Sequence, residues 1–200
     1  MTGFDLVFAV YGLLLGLAVA EVLGGFARAL KLKRGAKPVK IGWLTPLLGT
    51  LVIFDLTSFW LLAFDAREQI GADYLTLLGV LIMVGIYYLA ASVIFPDEPA
   101  EWPDFDQWYD KQNRLVIAGL LAANVLSWIG LGVLDAMAPA AVEAPDTWHP
   151  VFTPVYLLSG LGILVLLAAL LKVKSRRWNV ALLATLIALF FISGVVEPFA

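Results

Sequence analysis

Long apolar runs separated by short polar breaks dominate the chain. The runs lie at residues 4–28, 42–64, 74–95, 114–134, 152–171 and 180–196. At about 1.5 Å of rise per residue, some 20 residues cross a hydrocarbon core of about 30 Å as a helix, and each run meets or approaches that length. Lipid offers no partner to backbone N–H and C=O groups, so such runs must be helical unless strands close into a barrel. Barrel strands alternate apolar and polar positions over about 10 residues, and these runs do not alternate. The pattern predicts an all-α, polytopic integral membrane protein, a bundle of six transmembrane helices forming one domain over residues 1–200.

The polar breaks carry orientation. Between the first two runs, counting Arg28 at the edge, lie Arg28, Lys31, Lys33, Arg34, Lys37 and Lys40. Lys111 and Arg114 follow the third run, and Lys172, Lys174, Arg176 and Arg177 follow the fifth. The alternate breaks receive only Arg67. Lys and Arg are retained on the cytoplasmic side, which predicts an inner (plasma) membrane protein with both termini outside the cytoplasm. No basic residue precedes the first run, so a cleaved signal peptide is not expected. Asp97, Glu98, Glu101, Asp104, Asp106 and Asp110 offset the basic side to a net of +6. Asp5, Asp65, Glu68, Asp73, Asp135, Glu143, Asp146 and Glu197 give the other side −7.

Composition agrees with this picture and removes other classes. Hydrophobic residues make up 62% of the 200 residues and charged residues 14%, with a mean hydropathy of +0.91. Soluble domains average roughly 45–50% and about 25%. The absence of cysteine excludes a disulfide scaffold and a thiolate metal site, and a net charge of −3 gives no reason to expect nucleic acid. His149, in the break at 135–151, has no second His or Cys to join it, so no metal site is expected. No cofactor fingerprint or catalytic motif is present, so an enzyme is not expected.

Two breaks and several spans hold features that need a reading. The 96–113 segment, PDEPAEWPDFDQWYDKQN, opens with prolines and then places Phe105, Trp108, Tyr109 and Gln112 on one helical face. It reads as an acidic amphipathic helix at headgroup level or as an extension of the fourth span, with Asp104, Asp106 and Asp110 facing solvent or the basic first loop. Together with Trp108 and Tyr109 these acids form a candidate partner-binding loop. Leu44-Thr45-Pro46 and Phe152-Thr153-Pro154 open spans two and five, and SVIFPDEP and SGVVEPF close spans three and six. These recurrences raise a 3+3 inverted repeat, a common transporter architecture. Gly12, Gly16, Ala20 and Gly24 recur every four residues, a small-residue stripe suited to close helix packing within the chain or to a homodimer seam.

The chemistry concentrates in two intramembrane acids, Glu21 and Asp55. A carboxylate at membrane depth costs at least about 2.5–3.5 kcal/mol on insertion scales, so such residues face the bundle interior and have partners. Tyr87, Asn124 and Ser58 are the polar groups able to join them, and Arg28, seven residues after Glu21, is a competing partner for that acid. Two functions follow as expectations. One is a transporter- or channel-like protein moving a proton, small cation or small solute along a polar route near Glu21 and Asp55. The other is a non-transporting assembly or regulatory subunit whose buried acids are structural and whose 96–113 loop binds a partner. The expected partners are the lipid bilayer and a homo-oligomer or second membrane protein.

Overall fold

A computed structural model describes residues 3–35, 39–98, 101–137 and 150–199. His149, Glu143, Asp146 and Lys37 lie outside the described residues. The described chain is helical: α1 Gly3–Lys33, α2 Leu44–Asp65, α3 Tyr74–Ser92, α4 Phe105–Met137, α5 Phe152–Leu170 and α6 Arg176–Val196. Short 3-10 turns follow α2 (Ala66–Glu68) and α6 (Glu197–Phe199). All six helices are long and apolar enough to cross a membrane. Large apolar side chains point outward along them, among them Leu13, Leu89, Leu158 and Val165. Such a belt is what acyl chains solvate and what water does not.

The helices pack as two four-membered rings that share an edge. The first ring is α1–α2–α4–α3 and the second is α2–α4–α5–α6, so α2 and α4 belong to both. The first ring is solid. Tyr11, Leu15, Ala18 and Val22 of α1 meet Leu51, Val52 and Leu56 of α2, Val84 and Tyr87 of α3, and Val116, Ile117 and Leu120 of α4 in one buried cluster. Exchanging the two halves would map the α1–α3 and α5–α6 pairs onto α4–α6 and α2–α3, which are not main packed pairs. An inverted repeat is therefore not shown.

Contacts between breaks sort the helix ends. At the basic end, Lys40 and Asp104 form an isolated parallel bridge: Lys40 N–H donates to Pro103 C=O (2.8 Å) and Phe105 N–H to Lys40 C=O (2.9 Å). Side chains reinforce it. Lys40 Nζ lies 2.9 Å from Asp104 and 3.9 Å from Asp106, and Thr45 donates to Phe105 C=O. Gly42 has φ +63, and a Cβ there would run into the Asp106 carboxylate, so this turn needs glycine. Arg176 grips Asp110 at 3.0 Å through Nε. At the opposite end Gln69 donates to Asp135 (2.7 Å), and Asp73 caps α3 by accepting from the N–H groups of Leu75 and Thr76.

Two expectations change and one alternative is decided. Of its two readings, the acidic segment takes the extension of the fourth span. Helix α4 begins at Phe105, so 105–113 forms its first turns, while Trp108 donates to the C=O groups of Val93 and Ile94 at the end of α3. Helix α1 likewise runs past 28 to Lys33. The stripe Gly12, Gly16, Ala20, Gly24 is not the packed seam within the chain. Nothing lies within 4 Å of a Cβ built at Gly16, and Gly24 meets only Arg28 of its own helix, whereas Gly12 faces Trp60. From Tyr11 onward the buried positions are Tyr11, Leu15, Ala18, Val22, Gly25 and Ala29. Their spacing alternates four and three, which averages near 3.6 and holds one face, while a strict spacing of four rotates about 40° per step around the helix. Close approach occurs instead at Gly25, where a Cβ would collide with the Phe95 ring.

Candidate functional site

The centre of the molecule holds one acid. Asp55 is the twelfth residue of α2, about 16 Å along the axis from Leu44 and about 15 Å from Asp65. It sits where the two rings share their edge and is fully buried. Two neighbours meet its carboxyl group. The Tyr87 hydroxyl, from α3, donates to Oδ2. The Asn124 amide, from α4, lies 3.2 and 3.1 Å from the two oxygens and also donates to Leu120 C=O at 3.0 Å. Three helices are thereby tied to one side chain.

Hydroxyls surround this group. Ser58 donates to the Asp55 C=O (2.8 Å), and Ser127 donates to the Asn124 C=O (2.7 Å). Tyr11 donates across from α1 to the Phe59 C=O (2.7 Å), and Phe59 packs edge-on against Tyr87 with ring centroids 4.8 Å apart. Every hydroxyl in this layer has an acceptor, as burial in an apolar medium demands. Tyr11 belongs to the layer but is not evident from sequence, because a tyrosine in the half of the first span away from the basic end reads equally as an interface residue.

Glu21 is not part of this layer. It is only partly buried and pairs with Arg28 at 3.3 Å, two turns along the same helix. Its position explains the pairing: Glu21 precedes the buried Val22 and falls at the margin of the packed face, within reach of an arginine near the basic end. The polar string expected from Glu21 to Asp55 is therefore broken at Glu21, and Asp55, Tyr87, Asn124 and Ser58 come together without it. Thr57 turns outward and bonds its own helix at the Ile53 C=O.

A cavity of about 820 Å³ opens beside Asn124, on the second ring between α2, α4, α5 and α6. Its deep wall includes Ser58, Asn124 and Ser127, and Asp135 and Glu197 lie at the end away from the basic cluster. Asp65 at the end of α2 is a near neighbour of Glu197. Phe54, Trp128, Tyr156, Phe190 and Phe191 supply much of the remaining wall. Trp128 also packs over Gly160, where a Cβ would stand 3.2 Å from its ring. Beyond Asp55 towards the basic end lies the buried apolar cluster of Leu48, Leu51, Val116, Ile117 and Leu120.

The candidate partner loop is largely engaged within the chain. Tyr109 is buried and donates to Asn179 of α6 at 2.8 Å, and Trp108 caps the end of α3. Asp104, Asp106 and Asp110 face Lys40 and Arg176. The basic first loop and the acidic segment are thus docked on one another. Asn179, which also bonds the C=O groups of Val173 and Ser175, was detectable only as an isolated amide near the start of the sixth run. Among the described residues no group of three His, Cys, Asp or Glu is placed to hold a metal ion. No family model matches this chain, and neither a curated protein nor a solved structure matches it.

Proposed function

We propose that this chain is a transport-type membrane protein of the inner membrane that moves a proton, small cation or small solute past Asp55. The basic end faces the cytoplasm by the distribution of Lys and Arg, both termini face outward, and the acidic end of the cavity, with Asp135 and Glu197, lies on the outer side. One observation carries the reading: a fully buried carboxyl group at mid-span is held by Asn124, and Asn124 also lines a cavity large enough to admit solute. Intramembrane acids beside water-accessible cavities are where ion and proton pathways are built. Glu21 takes no part and serves as a surface-side partner of Arg28.

The closed apolar floor below Asp55 supports an outward-open form, with passage requiring α2 and α4 to part at the basic end. There Lys40–Asp104 and Arg176–Asp110 hold the breaks together. Flux of proton or cation into liposomes containing the purified protein tests the proposal. Asp55→Asn, with the fold retained by circular dichroism, is expected to abolish coupled flux. Wild-type flux from that variant would refute the role.

A second reading is favoured by one observation. Asp55 is shielded from solvent and its carboxyl group is met by donors on two other helices, as a purely structural tie would be. In that reading the protein is a non-transporting assembly or regulatory subunit, alone, as a homo-oligomer or with another membrane protein. Asp55→Asn then lowers stability while no flux is seen from either protein.

A further inference from the structure

We infer that the cavity between α2, α4, α5 and α6 is a binding site for a monovalent organic cation with an apolar or aromatic body. The inference rests on the transport reading above and names its substrate class. Size is the first argument. A space of about 820 Å³ lies within the roughly 300–1,000 Å³ of sites that enclose drug-sized molecules, whereas a proton or a bare metal ion needs a small fraction of it.

Wall chemistry is the second argument. Phe54, Trp128, Tyr156, Phe190 and Phe191 offer ring surfaces for an apolar body, and aromatic faces attract cations within about 6 Å. Charge is the third argument, and it selects the sign. Asp135 and Glu197 line the cavity, and among the described residues no Lys, Arg or His does. Among the described residues no Lys or Arg forms an ion pair with either acid, and the partner of Asp135 is the neutral amide of Gln69. Asp65 adds a further carboxyl beside Glu197. A cation entering here meets carboxyl groups that no Lys or Arg among the described residues pairs with, which favours it over an anion.

The deep wall fits the same ligand. Ser58, Asn124 and Ser127 end the cavity with small polar groups already bonded within the helices, so a ligand body need not supply strong donors there. An inorganic cation would need several convergent oxygens at about 2.3–2.6 Å or less, and the cavity acids are accompanied mainly by rings and aliphatic side chains.

Equilibrium binding of tetraphenylphosphonium to the purified full chain in neutral detergent, followed by tryptophan fluorescence, tests the inference against triphenylphosphine oxide, a neutral molecule of related shape. Saturable binding of the cation is expected. The Asp135→Asn/Glu197→Gln double variant should weaken it at least about tenfold, equivalent to about 1.4 kcal/mol. A second readout leaves the acids intact. The chain has no cysteine, and a Cβ at Gly132 on the cavity wall meets nothing within 4 Å, so Gly132→Cys provides a single reporter. Tetraphenylphosphonium should slow its modification by a maleimide, and the neutral analogue should not. Equal protection by both molecules, as an acyl-chain or detergent site would give, overturns the inference, and so does absence of saturable binding. Loss of binding alongside Asp55-dependent flux sinks this inference alone, whereas intact binding with flux indifferent to Asp55 sinks the transport reading alone.

Discussion

Replacing Tyr87 by Phe removes one oxygen atom and nothing else from the buried layer. That oxygen is one of two side-chain donors that meet the Asp55 carboxyl group, the other being the Asn124 amide at 3.1 and 3.2 Å. Because Asp55 and Tyr87 are both fully buried, no water takes the vacated place. A buried acceptor stripped of one partner costs about 1–3 kcal/mol in soluble proteins. Hydrogen bonds between membrane helices average about 0.6 and reach about 1.7 kcal/mol. Complete burial places this one near the upper membrane value, so Tyr87→Phe should cost about 1–2 kcal/mol.

Asp55→Leu strands the Tyr87 hydroxyl in turn and adds a packing cost of its own. The double variant Asp55→Leu/Tyr87→Phe shares that packing cost but has no stranded hydroxyl. Its total destabilisation should therefore fall at least about 1–2 kcal/mol short of the sum of the singles, since matched apolar replacement of both partners is close to neutral. Reversible unfolding in mixed micelles, or steric trapping in bicelles, measures all four corners of the cycle. Additive costs would refute the claim that the hydroxyl and the carboxyl group are energetically joined.

Other outcomes follow from the same packing. Gly25→Ala should destabilise by about 1–3 kcal/mol, because its Cβ enters the Phe95 ring, itself wedged between Phe26 and Phe105 with centroids 5.0 and 6.4 Å away. Gly16→Ala should be neutral or stabilising by up to about 1 kcal/mol, and thermal unfolding in detergent compares the two. At the basic end, burial would raise the Asp104 carboxyl, but the hydrogen bonds from Lys40 and from the Asp106 N–H, with the charges of Lys40 and Arg176, hold it below its ordinary 3.8. Its contribution is therefore fully present above that value and lost as pH falls through the lower folded-state value. The stability difference between wild type and Asp104→Asn, worth no more than about 1 kcal/mol for so exposed a partner as Lys40, should shrink between pH 6 and pH 3.

How much of this was legible depends on whether a feature is local. Six helices could be read from run length alone, because lipid forbids the alternatives. Asp55 and Asn124 were legible as partners because a polar group at mid-span has few other places to go. Glu21 was ambiguous for a positional reason: it stands near the basic end, where Arg28 can reach it, and only the rotation of α1 decides between inward and lateral pairing. The glycine stripe misled because spacing of four is a pattern of composition, while the packed face of α1 follows the 4-3 alternation of Tyr11, Leu15, Ala18, Val22 and Gly25. The length of α4 stayed one of two alternatives because Asp106 and Asp110 suit a separate headgroup-level helix until Lys40 and Arg176 are seen beside them. The cavity was not legible at all. Its residues come from four helices, and none of Asp135, Tyr156 or Glu197 carries a sequence signal beyond that of a span end.

Side-specific cysteine labelling gives the most direct test of a polar route that reaches Asp55 from one end. Ser127→Cys places a thiol on the cavity wall one hydrogen bond from Asn124, and Leu120→Cys places one in the closed floor. In sealed, oriented vesicles a small membrane-impermeant methanethiosulfonate should modify the cysteine at position 127 from the side of Asp135 and Glu197 only. The cysteine at position 120 should stay unmodified from either side. Modification at 127 from the basic side, or none from either side, would contradict the account.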